Sequence, residues 1–229
     1  MSILDSIKNS IFVPIHPSGL PFIIMFCLIT LIIGWIWSPL FFIGLILTLW
    51  CIYFFRNPER VIPDNADNSL VIAPADGKII EIEEITPNEE IGLPKNKYIK
   101  IGIFMNVFNV HVNRTPISGE IQKIVYKAGS FLNASLDKAS EKNERSSMVI
   151  ANDNNIKIIV VQIAGLIARR ILGFVSEKQF LEQGERYGLI RFGSRVDIYM
   201  PLDATVTCAV GDKVVAGISK LAKLNNTHE

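Results

Sequence analysis

Three side chains of this 229-residue chain could form a proton relay: Asp76 in Pro-Ala-Asp-Gly-Lys, His111 in Asn-Val-His-Val-Asn-Arg, and Ser194 in Phe-Gly-Ser-Arg. A serine hydroxyl is a weak nucleophile until a base takes its proton. An imidazole titrates near neutral pH and suits that work, and a carboxylate can fix its tautomer. Spacing alone does not select such a triad, which is defined by geometry and not by chain order. The scarcity of histidine says more: of three in the chain, His16 lies beside an apolar segment and His228 beside the C-terminus. His111 is therefore the one expected in a core. Each residue also has an ordinary reading, His111 as a satisfied buried imidazole and Asp76, before Gly77, as a turn former.

Gly193-Ser194 offers one further chemistry. Gly193 has no Cβ to obstruct approach, so the Ser194 hydroxyl can attack the Gly193 carbonyl if the backbone is strained and a base takes the proton. The peptide becomes an ester. Loss of the Ser194 α-proton then expels the Gly193 carboxylate, and the dehydroalanine left behind hydrolyses to a pyruvoyl group. The chain would be cut into 1–193 and 194–229.

The elements that must position these residues show first as a contrast in charge. The chain is 49% hydrophobic and 20% charged, with Lys+Arg 23 and Asp+Glu 22, yet only Asp5 and Lys8 are charged before Arg56. This divides it into a membrane-associating segment, 1–55, and an ordinary charged domain, 56–229. The uncharged run 20–55 would be roughly 54 Å long as one helix, against a hydrocarbon core of ~30 Å. Gly34, Ser38 and Pro39 lie in its middle, and proline disfavours helix at the residue before it. A tight hairpin is expected, with Trp35 and Trp37 at the bend and Trp50 and Tyr53 near the exit as interfacial anchors. Lys8, Arg56 and Arg60 favour cytoplasmic placement of both ends and of the domain, at a cell membrane.

A net charge of +1 without a basic run gives no reason to propose nucleic acid. Cys27, Cys51 and Cys208 form no CxxC or paired framework and read as small hydrophobes, and no His/Cys cluster suggests a metal.

From Leu70 onward short β-like runs alternate with turn signals, and residues 151–155, Ala-Asn-Asp-Asn-Asn, read as a hairpin turn. The fold class expected is mainly β, a barrel-sandwich-like domain with a few short helices, preceded by the hydrophobic helical hairpin. Helical or looped exceptions are expected at 133–145, and a short helix at 167–170 or 177–183. VIAPADGKI and AVGDKVVAGISKLA resemble the two edges of a biotinyl- or lipoyl-carrier domain, where Gly-Asp-x-Val-x-x-Gly makes a turn. No Met-Lys-Met-type turn offers a lysine for cofactor attachment.

Five ordered segments carry a more specific likeness: APADGKI, FMNVFNVHVNRTPISGEI, KAGSFLNASLDKASEKNERS, QIAGLIARRI and YGLIRFGSRVDIYMP. Together they resemble the short, Gly-Ser form of the phosphatidylserine decarboxylase proenzyme. The resemblance implies that Ser194 becomes a covalent pyruvoyl group after cleavage at Gly193, that His111 is the base for self-cleavage, and that Asp76 orients and charges His111. It implies a Schiff base between that group and the amine of phosphatidylserine, release of carbon dioxide and phosphatidylethanolamine, and no metal. The two fragments, β (1–193) and α (194–229), would stay together as a heterodimer at the membrane lipids that supply substrate. His111 is also expected to return the proton.

A headgroup phosphate and carboxylate suit the guanidinium fork of arginine. Arg114, Arg145 and Arg169 are the candidate contacts, with Arg170 beside them. Two other classes compete with this reading: a membrane-anchored carrier or adaptor without catalysis, and a serine hydrolase using Ser194, His111 and Asp76. The adaptor has no use for Gly193-Ser194, and the hydrolase lacks a Gly-x-Ser-x-Gly elbow.

Overall fold

The computed structural model describes residues 13–63, 69–87, 96–129, 143–165, 170–191 and 194–225. They fall into two compact units that divide between Glu59 and Arg60.

The first unit is a helical hairpin. After a 3-10 turn at Pro17–Gly19 come α1 (Leu20–Ile36) and α2 (Ser38–Phe54), 17 residues each and so about 26 Å long. The break falls where the sequence places it. Trp37 is extended, at φ −150° and ψ 109°, and Pro39 sits in the first turn of α2, where a missing N–H costs nothing. The seam is small and polar inside apolar surroundings. Thr30 and Thr48 share a hydrogen bond of 3.1 Å, each hydroxyl also reaching a carbonyl four residues back. A Cβ on Gly44 would lie 2.6 Å from the Thr30 hydroxyl, so only glycine lets the helices approach this closely. Leucine, isoleucine and phenylalanine cover the rest, and Trp35 at the tip is 91% exposed. The stretch Pro17–Ile36, with mean hydropathy 2.5, is long and apolar enough to cross a membrane.

The second unit is mainly β, as expected. Its strands are β1 (Leu70–Ile72), β2 (Gly77–Ile85), β3 (Tyr98–Met105), β4 (Val112–Arg114), β5 (Gly119–Lys127), β6 (Arg145–Ala151), β7 (Lys157–Ala164), β8 (Ile171–Gly173), β9 (Phe180–Leu181), β10 (Arg186–Ile190), β11 (Ser194–Pro201), β12 (Thr205–Val206), β13 (Lys213–Val214) and β14 (Lys220–Lys223). Eight form one curled half-barrel sheet in the order β13-β2-β3-β11-β7-β6-β5-β9, and two small sheets have the orders β4-β10-β8 and β1-β14-β12. All pairings are antiparallel.

Alternation sorts the side chains of β11 and β7 between the two faces of the large sheet. Val196, Ile198 and Met200 join Ile158 and Val160 in the main core, whereas Tyr199 joins Ile159, Val161 and Ile163 on the other face. Both faces are buried, which is why 158–161 reads as a continuous apolar run rather than alternating with polar residues.

The turn chemistry is local and legible. Asn152 accepts hydrogen bonds from the amides of Asn154 and Ile156, and Asn155 takes φ 56°, closing the β6–β7 hairpin at 151–155. Gly211, at φ 103°, opens the Gly-Asp turn into β13.

One of the two placements expected for a short helix meets a different outcome. Residues 177–183 are turn and strand: Lys178 takes φ 69°, Gly184 takes φ 81°, and Phe180 and Leu181 pair with β5. A strand edge open to pairing outweighs the weak local helical preference. Of 133–145, residues 143–145 are described and lead into β6, with Arg145 paired to Ile163. The remainder of that stretch, and 167–169, lie outside the described residues.

Candidate active site

One end of the large sheet collects the residues singled out by sequence. Ser194 is the first residue of β11 and pairs with Met105 on one side and Ala164 on the other. Lys78 pairs with Phe104 and Val214 with Gly77, so the chain at Asp76, the loop after Met105 and the turn after Val214 all lie at this same end. The small sheet carries its chain back to the same place, because β10 runs from Arg186 to Ile190 and β11 starts at Ser194.

Ser194 is fully buried, and its hydroxyl donates to the Met105 sulfur at 3.3 Å. The same sulfur accepts from the Asn113 amide at 3.7 Å, and Asn113 in turn accepts from Gln162 at 2.8 Å. Gln162, Asn113, Met105 and Ser194 thus form a buried line across β7, β4, β3 and β11. A thioether is a weak acceptor, so the serine hydroxyl is loosely held and turns toward a better base at small cost. Asn113 and Gln162 were not singled out by sequence reasoning. The available signals were the placement of Asn113 two residues beyond His111, the same-face spacing of a strand, and a glutamine inside an apolar strand.

His111 is fully buried where the chain enters β4. Its Nδ1 lies 2.9 Å from the Asn109 carbonyl oxygen. A carbonyl only accepts, so Nδ1 carries the proton and Nε2 is the basic nitrogen of the neutral ring. Asn109 belongs to a tight turn: Asn106 N donates to the Asn109 side chain at 2.9 Å, and Phe108 N donates to the Asn106 side chain at 2.8 Å. Phe108, on that turn, is 61% exposed.

The structure does not bring Asp76 and His111 together by a hydrogen bond. Asp76 is gripped by Arg60 through both oxygens, at 2.8 and 2.9 Å, and accepts from the Ala216 amide at 2.9 Å. Arg60 also donates to the Ala216 carbonyl at 3.0 Å, closing a small network in which arginine and carboxylate are both nearly buried. The contact that fixes the imidazole tautomer comes from the Asn109 carbonyl. A carboxylate takes the nearest cation that fits it bidentately, and Arg60 lies 16 positions away with no motif to mark it. Neither is Ser194 hydrogen-bonded to His111, so the continuous relay of a serine hydrolase is not assembled.

The arginine candidates are placed differently. Arg114 is buried on β4 and donates to the Gly184 carbonyl at 2.7 Å, bracing a loop with φ 81°. Arg145 is buried at the start of β6. Arg169 and Gly193 lie outside the described residues. Arg170 is exposed, and its carbonyl accepts from the Arg191 amide at 3.2 Å. Arg191, half-buried, was not singled out by sequence; burial pushes its guanidinium below the usual arginine range, and the neighbouring Arg170 charge adds to this.

A separate charged cluster occupies the other face of the sheet. Arg195 binds Asp197 and Glu81, and Lys100 binds Glu81 and Glu83. Burial pushes the Asp197 carboxyl up, against the pull of Arg195. No group of three or more His, Cys, Asp or Glu that could hold a metal occurs among the described residues.

A buried serine at the head of a central strand, together with a buried imidazole that has one nitrogen fixed, makes this end of the mainly β domain a candidate enzyme site. The chain belongs to the phosphatidylserine decarboxylase family, whose model matches residues 47–222, and is thereby a member of a family of decarboxylases. Among solved structures it is similar to the glucose permease IIA from Mycoplasma capricolum, at 18% identity over 68% of this chain and 95% of that one, with a TM-score of 0.37.

Proposed function

We propose that this protein decarboxylates phosphatidylserine to phosphatidylethanolamine at a pyruvoyl group made from its own Ser194. The observation that carries the reading is the placement of Ser194: directly after Gly193, fully buried, at the head of a strand laddered on both sides.

Cleavage there requires Ser194 Oγ to attack the Gly193 carbonyl while a base takes its proton, and the basic Nε2 of His111 is assigned that role. The amide nitrogen of Ser194 is released as the peptide becomes an ester. Loss of the Ser194 α-proton then breaks the Cβ–O bond and frees the Gly193 carboxylate. Water replaces the nitrogen of the resulting dehydroalanine, which leaves as ammonia. The new end fits the site, because residues 194–201 keep eight partners on β3 and six on β7, which supports an α fragment retained beside its β fragment.

When formed, a pyruvoyl group supplies the electron sink for decarboxylation through a Schiff base to the substrate amine. His111 is the proposed proton donor to the substrate carbon. Asp76, held by Arg60, adds negative charge at the same end of the sheet; its direct action on His111 requires Arg60 to release it. The apolar hairpin holds the domain at a membrane, where a two-chain lipid reacts without leaving the bilayer, with the domain on the cytoplasmic side.

Intact mass and a denaturing gel test the reading. Two fragments divided between Gly193 and Ser194, with a blocked end on the smaller one, and carbon dioxide from phosphatidylserine are expected. Ser194→Ala should remain a single inactive chain. An uncut wild-type chain that still releases carbon dioxide would sink the pyruvoyl assignment.

A further inference from the structure

We propose that Arg191 and Arg170 form the binding site for the phosphodiester of the lipid headgroup, an inference that rests on the function proposed above. The two residues are joined by the Arg191 amide donating to the Arg170 carbonyl, where β10 ends and β8 begins. This contact continues the β10–β8 register and sets the two arginines opposite each other where the small sheet ends. Arg170 has no carboxylate within ion-pair distance among the described residues, and its charge is close enough to oppose that of Arg191. Glu144 is the nearby acid, and its Oε1 accepts from the Tyr126 hydroxyl and the Ile171 amide, both at 3.1 Å.

Two like charges held together, one of them half-buried, create a place where an anion is stabilised. The pair also lies close to Ser194 along the chain. Arg191 is three residues before Ser194, and three residues of chain span at most about 11 Å. An arginine side chain and a headgroup bound at Ser194 therefore occupy the same neighbourhood.

The substrate offers two anions, and the reaction chooses between them. Its carboxylate loses charge as carbon dioxide departs, so a guanidinium fork on it would stabilise the ground state more than the transition state and slow the step. The phosphodiester keeps its charge in substrate, transition state and product. Arginine on the phosphate adds binding without opposing the chemistry, and the planar fork matches phosphate oxygens.

The experiment uses the cleaved full-length enzyme in detergent micelles, with short-chain phosphatidylserine as substrate and short-chain phosphatidylethanolamine as product inhibitor. In Arg191→Ala the KM for the substrate and the inhibition constant of the product should rise together, by about tenfold or more, with kcat changed less. Arg170→Ala, at an exposed position, should show the same pattern more weakly, and it keeps the test open if Arg191→Ala fails to cleave. No change in either constant in either variant would overturn the proposal. A rise confined to the substrate, with product inhibition intact, would overturn it in favour of the carboxylate. Failure of the wild-type enzyme to release carbon dioxide would overturn the underlying function, and it is read before any substitution is made.

Discussion

Asp76 and Asp197 are both buried and both bound by an arginine, but the regions around them are built for different ends. Asp76 lies in the chain before β2, with both oxygens satisfied by Arg60 and a third bond from Ala216. Asp197 lies inside β11 with a ladder on each side; one oxygen binds Arg195, and the other has no partner among the described residues. Around it Arg195, Glu81, Lys100 and Glu83 form a closed cluster on the face away from the main core. Burial and charge are thus common to both regions. The difference lies in what can move: Asp76 changes partner if one arginine lets go, whereas Asp197 cannot turn without disturbing the central strand. A buried ion pair by itself marks neither catalysis nor stability.

Substitution tests this contrast most strongly at Asp76. Asp76→Asn keeps the shape and removes the charge, and self-cleavage followed on a timed gel should slow by about a hundredfold or more. Cleavage at the wild-type rate would remove Asp76 from the maturation chemistry and make it a purely structural partner of Arg60.

Asp197→Ala should do the reverse. It leaves Arg195 without its main partner, costing about 3 to 5 kcal/mol of unfolding free energy in a denaturant titration, while the folded fraction still cleaves. Slower cleavage in the folded fraction would break the contrast.

Arg60→Ala should cost about 3 kcal/mol by the same titration, because a nearly buried Asp76 loses its cation. Removal of Arg60 also separates two possibilities for Asp76. If the carboxylate acts on His111, the folded Arg60→Ala protein keeps cleaving; if Arg60 and Asp76 act only as a pair, cleavage fails in both variants alike.

The smallest effect concerns Tyr199, near the Asp197 cluster. Burial raises its phenol above the ordinary value, and the Asp197 charge adds to this. The folded state therefore holds the proton longer than the unfolded state, and stability falls as pH rises past about 10, by up to ~1.4 kcal/mol per pH unit. Asp197→Asn should soften this alkaline loss relative to wild type, measured as the difference between the two denaturant midpoints at pH 9 and pH 11.

Much of the molecule was legible in the sequence because its causes are local. The hairpin break follows from Ser38-Pro39, the β6–β7 turn from its run of asparagines, and the turn before β13 from Gly211-Asp212. The five family-like segments fall within the matched span 47–222. The helix expected at 177–183 failed for a non-local reason, since pairing with β5 was open to Phe180 and Leu181.

The sequence by itself determined which residues could carry chemistry and where the apolar hairpin divides from the charged domain, because residue type, charge and turn preference act within a few positions. Only the tertiary structure decided that Arg60 takes Asp76, that the Asn109 carbonyl meets His111 Nδ1, that Met105, Asn113 and Gln162 line the way to Ser194, and that Arg191 meets Arg170. Those choices depend on distances between residues far apart in the chain, and an ion pair or hydrogen bond is selected by the partner within a few ångströms.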